Sequence, residues 1–202
     1  MTSTMPPLVL TVPGLNNSGP LHWQTRWEER HHGCLRVNLG HWDRPHRNSW
    51  VNQLNLALHS VEGPVLLAAH SLGCHAVAAW AQMEPDAAQL VAGALLVAPP
   101  EVDFAPLDSR VSAFSPTAAG PLPFPSLLVA SSNDPYCPLS AARLLARKWG
   151  ATFLDAGALG HINADSGLGD WDEGWQWLGQ LADSDSHVKL PHNGVGPRAI
   201  HP

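Results

Sequence analysis

The 202-residue chain is poor in charge: 14% of its residues are charged, and its formal net charge at pH 7 is -6. Its 11 lysines and arginines form no basic run. This composition argues against nucleic acid or an anionic membrane as the main partner. Long apolar runs are also missing, because no stretch reaches the roughly 18 residues of a membrane-spanning helix. Residues 1–7 are too short and too uncharged to predict a signal peptide.

Cysteine is scarce, and the chain has no metal-binding motif. Cys34, Cys74 and Cys137 are the complete set, and no two of them have the CxxC spacing. An odd, sparse set does not indicate a disulfide framework or a zinc site, so we expect a reducing compartment, the cytoplasm. The 12 histidines are scattered, without an HExxH pattern. We therefore expect neither a metal nor another cofactor.

The apolar sequence that is present suffices for one core, since 45% of the residues are hydrophobic. Short apolar runs alternate with helical segments, which predicts an α/β fold with a mostly parallel sheet and helices on both faces. We predict six strands, over residues 8–12, 35–39, 65–69, 90–97, 127–131 and 152–155. The predicted helices cover residues 23–30, 73–83, 139–149 and 172–181, and one more is capped by Asn48 and ends near Ser60.

The remaining segments have little periodicity. Residues 99–125 contain seven prolines and predict an irregular connection that could border a substrate pocket. Residues 184–202 are polar and predict a loosely attached tail, which leaves residues 1–183 as a single domain. The sequence of that domain contains no internal repeat.

The segment A-H-S-L-G around Ser71 is the strongest functional signal. It lies between the apolar strand that starts at Val65 and an apolar helix, as a nucleophile elbow requires. Ala69 replaces the first glycine of the G-x-S-x-G pattern, and Gly73 supplies the second. Small residues are needed at both positions because strand and helix approach closely there. The alternative is a serine that only caps the helix.

A serine hydroxyl needs a base to become a nucleophile, and in this arrangement an acid and then a histidine follow along the chain. Asp134 follows the fifth predicted strand, and His161 lies on a glycine-flanked loop after the sixth. Carboxyl ends of parallel strands meet at one edge of the sheet, so Ser71, Asp134 and His161 are the predicted catalytic set. Asp155 and Asp165 are the reserve candidates for the acid.

Two backbone N–H groups must stabilise the oxyanion that forms during acyl transfer. Leu72, directly after the nucleophile, is the first predicted donor. The second is predicted in the loop after the first strand, with Leu15 preferred and Asn16 next. His22 and Trp23, at the end of this loop, either line the site or anchor the first helix, and we favour anchoring.

Four segments together resemble the retinoblastoma-binding-protein-nine and YdeN-like family of small serine hydrolases. They are V-P-G-L-N-N-S-G-P-L-H-W-Q-T from Val12, A-H-S-L-G, S-N-D-P-Y-C-P around Asp134 and G-A-L-G-H-I-N around His161. The resemblance implies a compact α/β-hydrolase fold without a large lid. It also implies a Ser-Asp-His triad at Ser71, Asp134 and His161.

The leading functional hypothesis is hydrolysis of a small carboxylic ester, or less readily an amide, through an acyl-enzyme. A binding or regulatory module that keeps the fold but does not use Ser71 is the first alternative. Transfer of the acyl group to an acceptor other than water is the second, and it uses the same residues. The sequence leaves the natural substrate and the oligomeric state open.

Overall fold

The computed structural model describes residues 7–104 and 106–182. Its six strands are β1 (Val9–Val12), β2 (Cys34–Arg36), β3 (Val65–His70), β4 (Val91–Val97), β5 (Ser126–Ala130) and β6 (Thr152–Asp155). They form one parallel sheet in the order β2-β1-β3-β4-β5-β6. The six predicted strands are therefore confirmed, and their carboxyl ends share one edge. The predicted tail, residues 184–202, lies outside the described residues.

The helices are α1 (Trp23–Arg30), α2 (Arg47–His59), α3 (Leu72–Ala81), α4 (Ala87–Leu90), α5 (Leu139–Trp149) and α6 (Asp172–Ala182). Local signals account for several of their ends. The His22 side chain accepts the Gln24 N–H and so caps α1. Gly150 ends α5 in the left-handed conformation, with φ of 65°. Among the described residues, no helix is both long and apolar enough to cross a bilayer.

Helices cover both faces of the sheet, as predicted. One core cluster joins the sheet to α2, α3 and α5 and includes Trp50, Trp80 and Trp149. The other joins the opposite face to α1 and α6 and includes Trp23 and Trp27. The central strand β3 is buried along its full length, which explains why residues 65–69 are continuously apolar rather than alternating.

The predicted boundaries that are wrong include the start of the second helix, the end of the second strand and the end of the third helix, which lies at Ala81 rather than at Met83. The second helix begins at Arg47 with His46 at its N-cap position, so Asn48 lies inside the first turn and does not cap it. The second strand ends at Arg36 rather than at Leu39. It is an edge strand whose pairing with β1 ends at Thr11 and Arg36, one residue before β1 itself ends at Val12. Val37 and Leu39 are nevertheless buried, which accounts for the apolar pattern.

The connection between β4 and β5 is irregular, as predicted. In its described part, the regular structure consists of one short 3₁₀ helix, Ser109–Phe114, and no further helical layer covers the edge of the sheet. This segment passes over the carboxyl ends of the strands, where Ser71 emerges, and several of its residues face that serine across a cleft.

Candidate active site

Ser71 lies at a sharp turn between β3 and α3, in a strained backbone conformation. Its φ is 53° and its ψ is -125°, a region that non-glycine residues rarely adopt. The side chain occupies the N-cap position of α3 but makes no capping hydrogen bond. The alternative interpretation of Ser71 as a helix cap is therefore wrong, and its hydroxyl is available for another partner.

Glycines allow this turn to pack against the end of β1. A Cβ added to Gly73 would lie 2.2 Å from the Val12 carbonyl oxygen, and one added to Gly14 would lie 2.8 Å from the Ser71 Cβ. Neither position tolerates a side chain without movement of the backbone. The second glycine of the motif is thus required by close approach, whereas Ala69 is accommodated within the core.

The structure brings Ser71, His161 and Asp134 into one hydrogen-bonded chain. His161 Nε2 lies 2.9 Å from Ser71 Oγ, and His161 Nδ1 lies 2.9 and 3.0 Å from the two Asp134 carboxylate oxygens. A carboxylate can only accept, so Nδ1 carries the imidazole proton and Nε2 is free to accept from the serine hydroxyl. The resting geometry therefore matches a serine activated by a neutral histidine.

Asp134 is the buried acid of this chain, with 2% of its side chain exposed. Its Oδ1 also accepts the Tyr136 N–H at 2.9 Å, which orients the carboxylate. The reserve candidates lie elsewhere: Asp155 accepts the Gly157 N–H, and Asp165 is exposed within a short 3₁₀ turn. Of the three acids, Asp134 is the one that contacts His161.

The loop that carries His161 is attached to the loop that carries Asp134, a contact that the sequence analysis missed. The Asn133 side-chain oxygen accepts the Gly160 N–H at 2.7 Å and the Ser131 hydroxyl at 2.9 Å. The Ser131 oxygen in turn accepts the Leu159 N–H at 2.9 Å. These bonds hold the two loops in register. The sequence signal for these bonds is limited to the position of Ser131 and Asn133 within the three residues before Asp134.

Two further contacts hold His161 from the opposite side. The His70 Nε2–H donates to the His161 carbonyl oxygen at 2.9 Å, and the Trp23 indole N–H donates to the Ile162 carbonyl at 2.9 Å. Ile162 has a φ of 47°, which is strained for a β-branched residue, and it is buried. Trp23 is thus an anchor, as predicted, and what it anchors includes the histidine loop as well as α1.

The predicted oxyanion donors lie close together beside Ser71. The Leu72 nitrogen is 3.1 Å from the position that a Cβ on Gly14 would take, and Leu15 lines the same cleft as Ser71. Within the described residues, neither the Leu72 nor the Leu15 N–H has a hydrogen-bond partner. The Asn16 N–H donates to the Trp42 carbonyl at 2.8 Å. The second choice, Asn16, is therefore wrong, because its donor is already engaged.

A buried polar network holds the loop after β1, and it explains the dense motif there. The Ser18 hydroxyl donates to Gln24 at 2.6 Å, and the Gln24 amide donates to the Ala68 carbonyl at 2.8 Å, which ties the loop to β3. Arg36 donates to the Ser18 carbonyl at 3.0 Å and pairs with Glu28 at 2.8 Å. The loop that presents Leu15 is thereby attached to both neighbouring strands.

Ser71 and His161 open into a cleft of about 330 Å³. Its walls come from the β1 loop, from the segment around the 3₁₀ helix and from Tyr136. His22 also lines it, although its exposed fraction is only 4%. The prediction that His22 anchors the first helix is thus incomplete, since the residue both caps α1 and lines the cleft. Among the described residues, no group of three or more potential ligands is arranged to hold a metal ion.

Three buried histidines make stability depend on pH. Burial lowers the pKa of His22 and of His75 to about 4, and it lowers the pKa of His70 well below its usual value. The unfolded chain takes up these protons near pH 6.5, so the free energy of unfolding should fall as pH decreases from about 6.5 towards 4. Each imidazole contributes up to about 1.4 kcal/mol per pH unit. Urea unfolding at pH 7, 6 and 5 measures this slope.

The variant His75→Phe tests whether buried histidines cause this pH dependence, because phenylalanine cannot take up a proton. His75 lies behind the elbow, where its Nε2–H donates to the Pro100 carbonyl at 2.8 Å. We expect a smaller decrease between pH 7 and 5 for His75→Phe than for the wild type. The exposed His32 provides the control, since His32→Gln should leave the slope unchanged. An equal slope in His75→Phe and the wild type would contradict the prediction.

Comparison with known proteins gives one sequence family and many similar structures. The model of a family described as serine hydrolase matches residues 9–180. A protein named a YdeN-like hydrolase, from Pectobacterium atrosepticum, is 32% identical, with a TM-score of 0.78 over 87% of this chain and 90% of that one. No match was found among curated protein sequences.

Two more distant structures show the same fold. The ydeN gene product of B. subtilis is 20% identical, with a TM-score of 0.71 over 88% of this chain and 99% of that one. A thermophilic esterase from Thermogutta terrifontis is 15% identical, with a TM-score of 0.62 over 87% of this chain and 90% of that one. The α/β-hydrolase fold and the YdeN-like resemblance are confirmed, and the retinoblastoma-binding branch of the resemblance stays a prediction.

Proposed function

Because the chain belongs to the serine hydrolase family, we propose that it cleaves a small carboxylic ester, or less readily an amide, through an acyl-enzyme on Ser71. The observation that carries the proposal is the hydrogen-bonded chain from Ser71 through His161 to Asp134. A hydrolase needs a base within hydrogen-bond reach of its nucleophile and a third group that orients the base. A binding module has no physical need for both contacts.

In the proposed reaction, His161 Nε2 accepts the hydroxyl proton as Ser71 Oγ attacks the ester carbonyl carbon. Asp134 holds the imidazole in the required tautomer and stabilises the imidazolium that forms. His161 then gives its proton to the departing alcohol oxygen as the carbon–oxygen bond breaks. Water, activated by the same histidine, releases the acid and regenerates Ser71.

The negative oxygen of each tetrahedral intermediate is assigned to the N–H groups of Leu72 and Leu15. Their lack of other partners supports this assignment, because a donor that is already engaged would have to break a bond to help. Burial raises the pKa of the Cys74 thiol, and this cysteine lies in the core behind the elbow, so Ser71 has no rival nucleophile at this turn.

The cytoplasm is the compartment we propose for this chemistry. Cys34, Cys74 and Cys137 are buried and unpaired in the fold. A reducing environment preserves such thiols, whereas an oxidising one exposes them to pairing whenever the chain unfolds.

A fluorophosphonate probe tests the proposal, because it forms a covalent bond with activated serines. We expect the wild type to be labelled stoichiometrically, and Ser71→Ala and His161→Ala to lose labelling while they remain folded. The matched control is Ser132→Ala. Ser132 is an exposed serine close to Asp134 in the sequence, and labelling should not require it. A folded wild type that does not react would favour the binding module instead.

Labelling does not separate hydrolysis from acyl transfer, because both proceed through the same acyl-enzyme. Incubation of a p-nitrophenyl ester with and without an added alcohol or amine separates them. Free acid as the product in both cases supports hydrolysis, and a new ester or amide as the main product supports transfer.

A further inference from the structure

A second depression adjoins the cleft, with a volume of about 430 Å³ and walls of mixed polarity, in which apolar side chains lie beside the Glu101 carboxylate. One wall comes from the segment after β4 and the other from the loop after β5. We call it the Phe104 groove, and it is lined by Glu101, Phe104, Pro106, Leu107, Pro135, Tyr136 and Pro138.

The groove contains large apolar side chains that the fold leaves uncovered. Phe104 is 81% exposed and Leu107 is 68% exposed, although both belong to a domain with extensive buried cores on each face of its sheet. Isolated exposed apolar residues are normal on protein surfaces, but two of them in one concave surface indicate a site that an apolar ligand covers. Removal of their surfaces from water would favour binding of such a ligand.

Tyr136 joins the groove to the proposed reaction site. It lines both the groove and the cleft, and its ring lies against the His161 imidazole with 4.5 Å between centroids. The Glu101 N–H donates to the Tyr136 carbonyl at 2.9 Å, which connects the two walls. A molecule whose ester carbonyl lies at Ser71 can therefore extend past Tyr136 into the groove without leaving the surface.

The charges along this path favour an uncharged chain. The carboxylate in the groove, Glu101, accepts the backbone N–H groups of Asp103 and Phe104 at 2.8 and 3.3 Å. In the cleft, Arg110 is paired with Asp108, with contacts of 2.6 and 3.0 Å. The charge of the Arg110 guanidinium is thus already neutralised. This disfavours a substrate that would place a carboxylate or phosphate beside Arg110.

We propose that the Phe104 groove binds the apolar arm of the ester substrate, and that Phe104 and Leu107 determine specificity for esters with an extended apolar group. This inference rests on the proposed function. The arm is either the acyl chain, which is bonded to the carbonyl carbon that Ser71 attacks, or the alcohol chain, which is bonded to that carbon through the ester oxygen.

Two series of esters test the proposal and distinguish these two sources. The first compares p-nitrophenyl acetate with p-nitrophenyl octanoate, and the second compares ethyl acetate with octyl acetate, both below their micelle concentrations. We expect kcat/KM of the wild type to be at least about tenfold higher for the long ester in one series, a usual scale for an apolar pocket contact. The series that responds identifies the arm.

The variants Phe104→Ser and Leu107→Ser should each lower that long-to-short ratio by about tenfold, which is the main expected result. Leu144→Ser is the matched control, since Leu144 is 58% exposed on α5 and does not line the groove. We expect it to leave the ratio unchanged. All three substitutions are at exposed positions, and equal thermal unfolding midpoints would verify that the variants fold.

The possible failures are distinguishable. Hydrolysis of the short esters with the same long-to-short ratio in the wild type and both groove variants, in both series, would overturn the groove assignment alone. No fluorophosphonate labelling and no hydrolysis of any ester would overturn the proposed function and the groove assignment with it. A protein partner on this surface is indicated instead if the groove variants lose self-association or partner binding but keep their ester preference, which also contradicts the proposal.

Discussion

We expect the variant Asp134→Asn to lower kcat by about 10⁴-fold with little change in KM, because the substitution reverses the histidine tautomer. The Tyr136 N–H donates to Oδ1 of Asp134, so the amide oxygen of the asparagine should take that position. The amide nitrogen then occupies the place of Oδ2, 2.9 Å from His161 Nδ1. The amide oxygen at the Oδ1 position, 3.0 Å from Nδ1, already accepts the Tyr136 N–H, so the amide N–H at the Oδ2 position favours the tautomer in which Nδ1 accepts. In that tautomer Nε2 carries the proton and cannot take one from Ser71.

The control for this prediction comes from the two acids that the sequence analysis kept in reserve. Asp155→Asn and Asp165→Asn make the same chemical change at carboxylates that do not contact His161, so both should keep kcat within about threefold of the wild type. Steady-state hydrolysis of p-nitrophenyl acetate measures all three variants. A large loss in either reserve variant, with Asp134→Asn active, would show that the acid was assigned incorrectly.

The second large effect is expected from Gly73→Ala, which adds one methyl group at the elbow. That methyl would lie 2.2 Å from the Val12 carbonyl oxygen and 2.7 Å from the Pro13 carbonyl oxygen. Both atoms belong to the backbone at the end of β1, so α3 must move away from the sheet. We expect the free energy of unfolding to fall by about 3 kcal/mol or more. Displacement of the Leu72 N–H should also slow fluorophosphonate labelling by at least about 100-fold.

Gly179→Ala provides the matched control for this substitution. Gly179 lies in α6, and a Cβ there meets nothing within 4 Å. Because alanine has the higher helix propensity, this variant should be as stable as the wild type or more stable. Urea unfolding and the labelling rate are the two measurements. Normal stability and normal labelling of Gly73→Ala would mean that strand and helix do not approach as closely as described.

The strands and the elbow could be predicted because their signals are local. Residues 65–69 are continuously apolar, and small residues follow at Ser71 and Gly73. This pattern alone predicts a buried strand that turns sharply into a helix. The same applies to the acid loop, which directly follows the apolar strand β5, and to the histidine loop, which follows the short strand β6. The errors occurred where local signals compete with tertiary structure. Asn48 is a good capping residue, yet the helix begins at Arg47, and His46 occupies the N-cap position two residues before Asn48.

The candidate site was predicted less completely than the fold. Ser131 and Asn133 have no distinctive pattern, and their importance depends on amides about 27 residues further along the chain. The Phe104 groove was also beyond prediction in detail, because the proline-rich segment has no periodicity from which its path could be inferred. The general location of the proline-rich segment, beside the substrate cleft, was expected from the position of this segment between β4 and β5.

The sequence by itself therefore determined the parallel α/β architecture, the elbow at Ser71 and the order of the three candidate catalytic residues. These follow from hydrophobic periodicity and from turn chemistry, which act over a few neighbouring residues. Only the tertiary structure decided that Asp134 rather than Asp155 or Asp165 contacts His161. It also decided that the Asn16 N–H is engaged by Trp42. Contacts between distant segments depend on how the strands are arranged in space, and no local pattern encodes those distances.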